Sequence, residues 1–191
     1  MNTTKSTKPA VKPARRYFHK LITRPVAGLG LVLIAMGLLL TLPVARAQTP
    51  VSVADANFLL AAAQGGLTEV ALGELAAKKG TSDAVKDFGK LMIKDHGVIN
   101  ADLKTLAAQK GVTLPTRLDE QHQAMVDKLA ALPGSEFDDT YVLEMIKAHQ
   151  GDAKAFKDES AATQDAAIKG FVDKSIPVVE AHLKHVAGMA K

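Results

Sequence analysis

The chain has 191 residues, and its excess of basic side chains is confined to the first 47, which hold eight Lys or Arg and no acid. Residues 48–191 hold 16 basic and 20 acidic side chains, a net charge of −4, which argues against nucleic acid as a partner. The absence of cysteine excludes disulfides, thiol catalysis and thiolate metal sites, and the absence of tryptophan with 4% aromatic residues argues against an aromatic binding platform.

The first 47 residues have the pattern of a signal peptide. A basic segment precedes an apolar run over residues 26–42, and Ala45-Arg46-Ala47 follows as a small-x-small cleavage pattern. Cleavage after Ala47 would start the mature chain at Gln48 and place the protein in the periplasm or cell envelope. Because 17 apolar residues reach the lower limit for spanning a bilayer, the alternative is an uncleaved anchor in the inner membrane.

A second pattern in the leader concerns the route of export. The segment Arg15-Arg16-Tyr17-Phe18-His19-Lys20 is similar to a twin-arginine signal. Counted from the first arginine, Phe is at the fourth position and Lys at the sixth. That pathway exports folded proteins, often after a cofactor has been inserted. The other interpretation is a long basic segment that contains Arg-Arg by chance, so the twin-arginine and general secretory routes both stay open.

The remaining chain is long enough for one domain, and its pattern is helical throughout. Apolar residues recur at spacings of three and four, and no stretch alternates with a period of two. We expect residues 48–54 to form a short linker and residues 55–190 to form the domain. Its predicted helices cover residues 55–79, 82–110, 117–131, 136–160 and 165 to the C-terminus.

Local residues set the expected ends of these helices. Hydroxyl side chains stand at three predicted starts, as N-caps: Ser82, Ser135 and Thr163. Gly80 and Gly111 follow the first two helices, where glycine commonly ends a helix. Pro177 lies inside the last helix and predicts a kink there.

The lengths of the connections predict a topology. About three residues join the first two long helices and about four join the last two, so each pair forms an antiparallel hairpin. Residues 111–135 lie between the hairpins, and an extended link plus a short helix can return the chain to the other end of a bundle. Two hairpins joined by one long crossover form a ferritin-like four-helix bundle, with the second and third long helices parallel.

Each long helix places one principal ionisable residue in a stripe of otherwise apolar or small residues. These four residues are Glu69, His96, His149 and His182. In a ferritin-like bundle the first three lie within about one turn of the same depth, and His182 about a turn and a half away. Carboxylate and neutral imidazole are ligands for copper, iron and zinc, so the cluster predicts a site for one transition-metal ion.

Four further residues form a second tier around this cluster. Met92 and Met145 lie one turn before histidines and would add the soft ligands that favour Cu(I). Asp95 would orient a ligand through a hydrogen bond. Tyr141 is interpreted as a core residue whose hydroxyl finds a partner.

The alternative to a metal site is a purely structural network. Buried polar groups are usually hydrogen-bonded to one another, and a cluster of Glu and His can fix the register of helices. Methionines at helical spacing are also commonly core residues. Of the other histidines, His122 lies on the crossover helix and His185 is expected at the surface.

Several motifs together resemble a bacterial family, the domain of unknown function 4142. They are Gly65-Gly66 through Glu69, Met92-x-x-Asp95-His96, Gly111-Val112-Thr113-Leu114-Pro115, Phe137-Asp138-x-x-Tyr141, His149, and Ile176-Pro177 through His182. The resemblance covers nearly all of residues 55–190. It implies an exported, ferritin-like domain, sometimes labelled an outer-membrane protein, with no established activity and no assigned residue roles.

The sequence departs from the working ferritins and from known catalytic patterns. A di-iron centre uses Glu-x-x-His, but Ile93, Ile146 and Val179 stand three residues before the core histidines. Motifs for phosphate binding, a nucleophile elbow or a metalloprotease are absent from the sequence, so neither an enzyme activity nor a small-molecule substrate is predicted. The broad prediction is a non-catalytic envelope domain for stress tolerance or interaction with another envelope protein. The alternative is a periplasmic protein that binds a metal ion.

Overall fold

The computed structural model describes residues 50–190, and within them all regular secondary structure is helical. The helices are α1 (Val53–Lys79), α2 (Asp83–Lys110), α3 (Glu120–Ala131), α4 (Gly134–Ala162) and α5 (Ala166–Ala187). The predicted all-α class is therefore confirmed. The predicted signal peptide, its cleavage site and the twin-arginine motif lie outside the described residues. Over residues 50–190, no helix has the length and apolar character needed to cross a membrane.

Contacts at the two ends of the bundle establish the direction of the helices. At one end, Asp138 near the start of α4 accepts hydrogen bonds from the backbone N–H groups of Thr81 and Ser82, just before α2. At the other end, Lys110 at the end of α2 pairs with Asp165, just after α4. The two helices therefore run parallel, and the hairpins α1–α2 and α4–α5 are joined through α3 as the connection lengths predict.

Two of the predicted helix ends have the expected geometry. The Ser82 hydroxyl accepts a hydrogen bond from the Val85 N–H at 3.3 Å and caps α2. Gly111 ends α2 with φ 69°, a left-handed conformation that favours glycine. Gly80 also follows a helix end, but its φ is −49°. A side chain there would meet the Ala76 carbonyl at 2.8 Å, so Gly80 is needed for space and not for a left-handed turn.

Four predicted helix starts differ from the structure, and the first is that of α1, which begins at Val53 after the N-cap Ser52 and not at 55. The α4 helix begins at Gly134 after Pro133, without a side-chain cap, so Ser135 lies inside it. Thr163 ends α4, and the carboxylate of Asp165 caps α5 by accepting the first free N–H groups of that helix. The short helix begins at Glu120 and not at 117, because Asp119 caps it in the same way. In the last two cases a carboxylate provides the cap, which also favours the positive end of a helix.

A close contact between backbones sets α1 against α2. A Cβ atom on Gly73 would lie 2.8 Å from the Gly89 carbonyl oxygen, and one on Gly89 would lie 2.6 Å from the Gly73 carbonyl oxygen. The contact at Gly66 is of another kind, because a Cβ there would meet the side chain of Asn100 and not a backbone. The Gly73–Gly89 contact lies about one turn from Glu69 and thus helps to place that carboxylate beside α2.

A polar layer divides the core into two apolar clusters. One cluster contains residues such as Leu72, Met92 and Met145, and the other contains residues such as Leu103 and Phe156. Each long helix contributes residues to both clusters, one toward each end of the helix. The predicted site residue of that helix lies between these two groups of residues in the sequence. The bundle therefore buries four ionisable side chains at one level, with apolar packing on both sides.

Candidate metal centre

Three histidines from three helices meet in the polar layer. His96 of α2, His149 of α4 and His182 of α5 are 3%, 0% and 2% exposed. Their ring centroids are 5.2 to 5.5 Å apart in all three pairs, which makes a nearly equilateral triangle. One ligating nitrogen of each ring lies within 4.8 Å of those of the other two. This spacing allows a single ion to contact all three rings.

Each imidazole is held by an acceptor at one ring nitrogen. His96 Nδ1 lies 2.8 Å from Glu69 Oε2, and His182 Nε2 lies 3.0 Å from Asp95 Oδ2. His149 Nδ1 lies 2.8 Å from the backbone carbonyl oxygen of Met145, one turn earlier in α4. A carbonyl oxygen and a carboxylate oxygen accept hydrogen bonds, so in each pair the ring nitrogen donates. These contacts specify the tautomer of all three rings.

The opposite nitrogen of each ring is buried and has no hydrogen-bond partner among the described residues. These atoms are His96 Nε2, His149 Nε2 and His182 Nδ1. Burial lowers the pKa of His96 to about 4, and it also lowers the pKa of His149 and of His182, so the neutral rings predominate near pH 7. A neutral imidazole that donates from one nitrogen carries a lone pair on the other. The site thus contains three unused lone pairs, which is the chemistry of a metal ligand set.

Two carboxyl groups lie beside the histidines. Glu69 is 4% exposed, and its Oε1 atom lies 3.4 Å from His149 Nε2. Burial raises the pKa of Glu69, and burial together with the neighbouring Glu69 raises the pKa of Asp152 to about 7. Sequence analysis missed Asp152, although it follows His149 by three residues and therefore shares its helix face. The Glu-x-x-His pattern places a carboxylate before a histidine, so it does not detect one that follows.

Of the predicted second-tier residues, Asp95 contacts the triad directly, whereas the two methionines pack in the core. Asp95 holds His182 on another helix and not its sequence neighbour His96. Met92 and Met145 are buried in the apolar cluster next to the polar layer, and Met145 also supplies the carbonyl that holds His149. The thioethers therefore line the site from one side as packing, while Asp95 has a direct contact with the triad.

Tyr141 is a core residue, as predicted, but its hydroxyl does not find the expected partner. The side chain is fully buried, and its oxygen has no hydrogen bond within the described part of the chain. Burial and the charge of Glu69 raise its pKa, so the hydroxyl stays protonated. Its ring lies 6.3 Å from that of Phe88, which in turn lies within 6.3 Å of two of the histidine rings. These aromatic rings close one side of the site.

His182 lies at the same depth in the bundle as the other three site residues, closer to them than was predicted by counting residues from the end of its helix. Its ring centroid is 5.2 Å from that of His96, whereas the prediction placed it about a turn and a half away. That estimate assumed that all four helices end at the same height. Only five residues separate His182 from the end of α5 at Ala187, against ten between Glu69 and the end of α1. The α5 helix therefore ends short of the bundle end, and the depth predicted for Glu69, His96 and His149 is shared by His182, whose own predicted depth was wrong.

The fold and the site define a helical-bundle protein with a buried histidine triad that could hold a metal ion. Residues 40–189 match the family described as a domain of unknown function, DUF4142, and the chain belongs to that family. The predicted resemblance is thus confirmed. Among curated proteins, none matches this sequence.

Two solved structures have a similar fold. A DUF305 fragment from Deinococcus radiodurans has a TM-score of 0.65 and 13% identity, covering 74% of this chain and 97% of that one. CopM in the Cu(I)-bound form has a TM-score of 0.60 and 19% identity, covering 71% of this chain and 94% of that one. At these identities the similarity concerns the fold alone.

Proposed function

We propose that the protein binds one transition-metal ion in the core of the bundle, through His96 Nε2, His149 Nε2 and His182 Nδ1. The observation that carries this proposal is that the two nitrogens of each ring differ. One donates a hydrogen bond to an acceptor, and the other is buried without a hydrogen-bond partner in the described part of the chain. Histidines that ligate metals almost always donate their second N–H to a carboxylate, a carbonyl or water. All three rings of this site follow that arrangement.

A purely structural network fits the same geometry less well. In such a network the buried polar atoms hydrogen-bond to one another, since each unsatisfied atom costs about 1–3 kcal/mol. Here three ring nitrogens and Glu69 Oε1 all have no partner in the described chain, within one layer. A bound cation would use the three lone pairs and would also compensate the buried carboxylate.

Among the metals predicted from the sequence, copper as Cu(I) is the best supported. Imidazole ligands are suited to copper, zinc and iron, so the ligands alone leave the metal open. The charge of the core fits Cu(I) when Asp152, whose pKa is raised to about 7, keeps its proton, because Cu(I) and the Glu69 carboxylate are then neutral together, and a neutral pair is the least costly to bury between two apolar clusters. The similarity in fold to CopM, which was solved with Cu(I), is a second point of support.

The leader suggests where this activity would take place. We propose that the protein acts in the periplasm or cell envelope, on the basis of the basic segment, the apolar run and the Ala45-Arg46-Ala47 pattern. Fractionation of cells that express the full chain tests this location. Recovery of the mature chain, starting at Gln48, from the periplasm would support it, and recovery of the full precursor from the cytoplasm would contradict it.

Anaerobic titration of the purified mature chain with Cu(I), against a chelator of known affinity, tests metal binding. We expect one ion per chain and a melting temperature that rises with free Cu(I), because a ligand that binds only the folded state stabilises it. Zn(II) and Fe(II) titrations under the same conditions test the choice of metal. A wild-type protein that binds none of the three ions would overturn the proposal.

Two variants locate the binding. His149→Ala should abolish the rise in melting temperature, because it removes one of the three ligands, the one that is fully buried. His185→Ala is the matched control, since His185 is exposed and lies only three residues from His182. The control should bind Cu(I) as the wild type does. Equal binding by His149→Ala and the wild type would place the ion elsewhere.

A further inference from the structure

A cleft between α1, α3 and α4 leads to the candidate metal centre. It has a volume of about 250 Å³, and its lining includes Glu69 and Met145 next to the triad. The lining also includes Asp152 and, from the crossover helix α3, His122 and Met125. The cleft therefore connects potential ligands on a peripheral helix with the carboxylate that contacts two of the three buried histidines.

The two α3 residues have the properties of an outer binding site. The His122 side chain is 30% exposed, and its Nδ1 lies 2.7 Å from Asp119 Oδ1, so the ring is held at one nitrogen in the same way as the buried histidines. Met125 follows three residues later, on the same face of the helix, and is partly buried against the core. An imidazole and a thioether together favour Cu(I) over harder cations.

Glu69 joins the cleft to the triad. Its side chain is more than nine-tenths buried, its Oε1 atom has no hydrogen-bond partner in the described chain, and that atom lies 3.4 Å from His149 Nε2. With Asp152 beside it, it places negative charge at the inner end of the cleft, although the raised pKa of each group reduces that charge. A cation that enters the cleft is thus drawn toward the histidines.

A larger cavity of about 330 Å³ lies elsewhere, between α1, α2 and the link that follows α2. Its lining is mainly apolar and includes Lys104 but neither histidine nor methionine nor any carboxylate. One lysine lines each cavity, Lys104 here and Lys147 in the cleft, so it is the lack of metal ligands that makes the larger cavity a poor path for a cation. The chemistry of the linings therefore distinguishes the two cavities.

We propose that the cleft between α1, α3 and α4 is the loading route of the metal centre, with His122 and Met125 as the first ligands that a Cu(I) ion meets. This proposal rests on the proposed function, because it concerns delivery to the same triad. It assigns a role in metal delivery to α3, in addition to its place in the crossover and the burial of Leu129 in the core. The route should affect how fast the ion arrives and leaves, and not how tightly the triad holds it.

Stopped-flow transfer of Cu(I) from a chelator to the purified protein tests the route. His122→Ala and, separately, Met125→Leu should lower the second-order rate constant of loading by about tenfold, because they remove the site that concentrates the cation at the mouth of the cleft. Release to a stronger chelator should slow by the same factor, so that the dissociation constant is unchanged. His185→Ala is the control for loss of an exposed imidazole and should load at the wild-type rate.

The outcomes separate this proposal from the proposed function. If the wild type binds no Cu(I), the function itself fails. If the wild type binds Cu(I) and His122→Ala and Met125→Leu both load at its rate, only the route is wrong. A His122→Ala protein that loses equilibrium affinity as His149→Ala does would also overturn the route, because His122 would then be a ligand of the final site. Circular dichroism checks that both variants keep their helices, and Met125→Leu preserves the apolar contact.

Discussion

Two polar clusters in the same bundle each contain buried ionisable side chains but differ in their hydrogen bonds. At the bundle end, Asp138 is 8% exposed, and both of its oxygens are used: Oδ1 accepts from the Thr81 N–H, and Oδ2 accepts from the Thr81 hydroxyl and the Ser82 N–H. In the middle of the bundle, each histidine of the triad uses one ring nitrogen, and the other has no hydrogen-bond partner among residues 50–190. Both clusters contain buried ionisable groups, although Thr81 and Ser82 are exposed, and of the two clusters the one at the bundle end has the complete set of hydrogen bonds.

This difference indicates different roles for the two clusters. The contacts of Asp138 join the start of α4 to the start of α2, and they are complete without any ligand. The hydrogen bonds of the histidine triad are incomplete without a ligand, because its unpaired ring nitrogens lose their hydration on burial and gain no partner in the described chain. We interpret the first cluster as part of the fold and the second as a binding site, and three changes test this distinction.

The largest effect should come from Asp138→Ala. This change leaves two backbone N–H groups without their carboxylate, and it removes hydrogen bonds to a charged group, so we expect a loss of about 3 kcal/mol in the free energy of unfolding. Urea denaturation measures that loss. The Cu(I) affinity of the folded variant should equal that of the wild type. A large change in affinity would mean that the two clusters are not independent.

A smaller effect should come from Asp95→Ala. Asp95 holds His182 through Nε2, and the loss of such a partner typically lowers metal affinity by about 10–100-fold. Competition with a Cu(I) chelator measures the change. Asp102→Ala is the matched control, since Asp102 lies on the same helix in an exposed pair with Lys174, which contributes little. Equal affinities of the two variants would show that the Asp95 contact does not support a ligand.

The smallest effect concerns the pH dependence of the metal-free protein. The lowered pKa values of the histidines mean that the unfolded chain binds protons that the native chain does not. Their contribution to stability is therefore complete above about pH 6.5 and is lost as the pH falls toward 4. Asp152, with a pKa near 7, acts in the opposite direction, because its contribution is present at low pH and is lost as the pH rises from about 4 to 7.

Asp152→Asn removes the opposing contribution. Between pH 6.5 and 5 the free energy of unfolding of this variant should fall more steeply than that of the wild type, by at most about 1.4 kcal/mol per pH unit. The Asp138 cluster should not contribute in this range. Although burial works against it, hydrogen bonds from Thr81 and Ser82 lower the pKa of Asp138, so its contribution is lost only below about pH 4. Urea denaturation at a series of pH values checks the slope, and parallel curves for the two proteins would contradict it.

The sequence predicted the topology and the four core polar residues well, because both follow from periodicity. An ionisable residue at a spacing of three and four among apolar neighbours must face the core, and short connections must form hairpins. Which acceptor holds each ring was not predictable, since Asp95 contacts His182 across 87 positions of the chain. Asp152 was missed for a simpler reason, because it follows His149 by three residues, whereas the Glu-x-x-His pattern of a di-iron centre places the carboxylate before the histidine.

The ends of the helices were harder to predict than their faces. Several residues near Ser135 and Thr163 can cap a helix, and the choice depends on where the neighbouring helix ends. Asp165 is used in place of Thr163 because it also pairs with Lys110 from α2, a contact between distant segments. The depth of His182 was underestimated for a related reason, since α5 ends at Ala187 and not at the end of the bundle.

X-ray absorption spectroscopy of the protein loaded with one equivalent of Cu(I) tests the central claim most directly. If His96, His149 and His182 are the ligands, the nearest shell should consist of nitrogen and show the multiple scattering typical of imidazole. The spectrum of the His149→Ala protein, mixed with the same amount of Cu(I), should lack this signature. A wild-type shell dominated by sulfur would contradict the account, because the ion would then be held by methionines and the unpaired histidine nitrogens would not be its ligands.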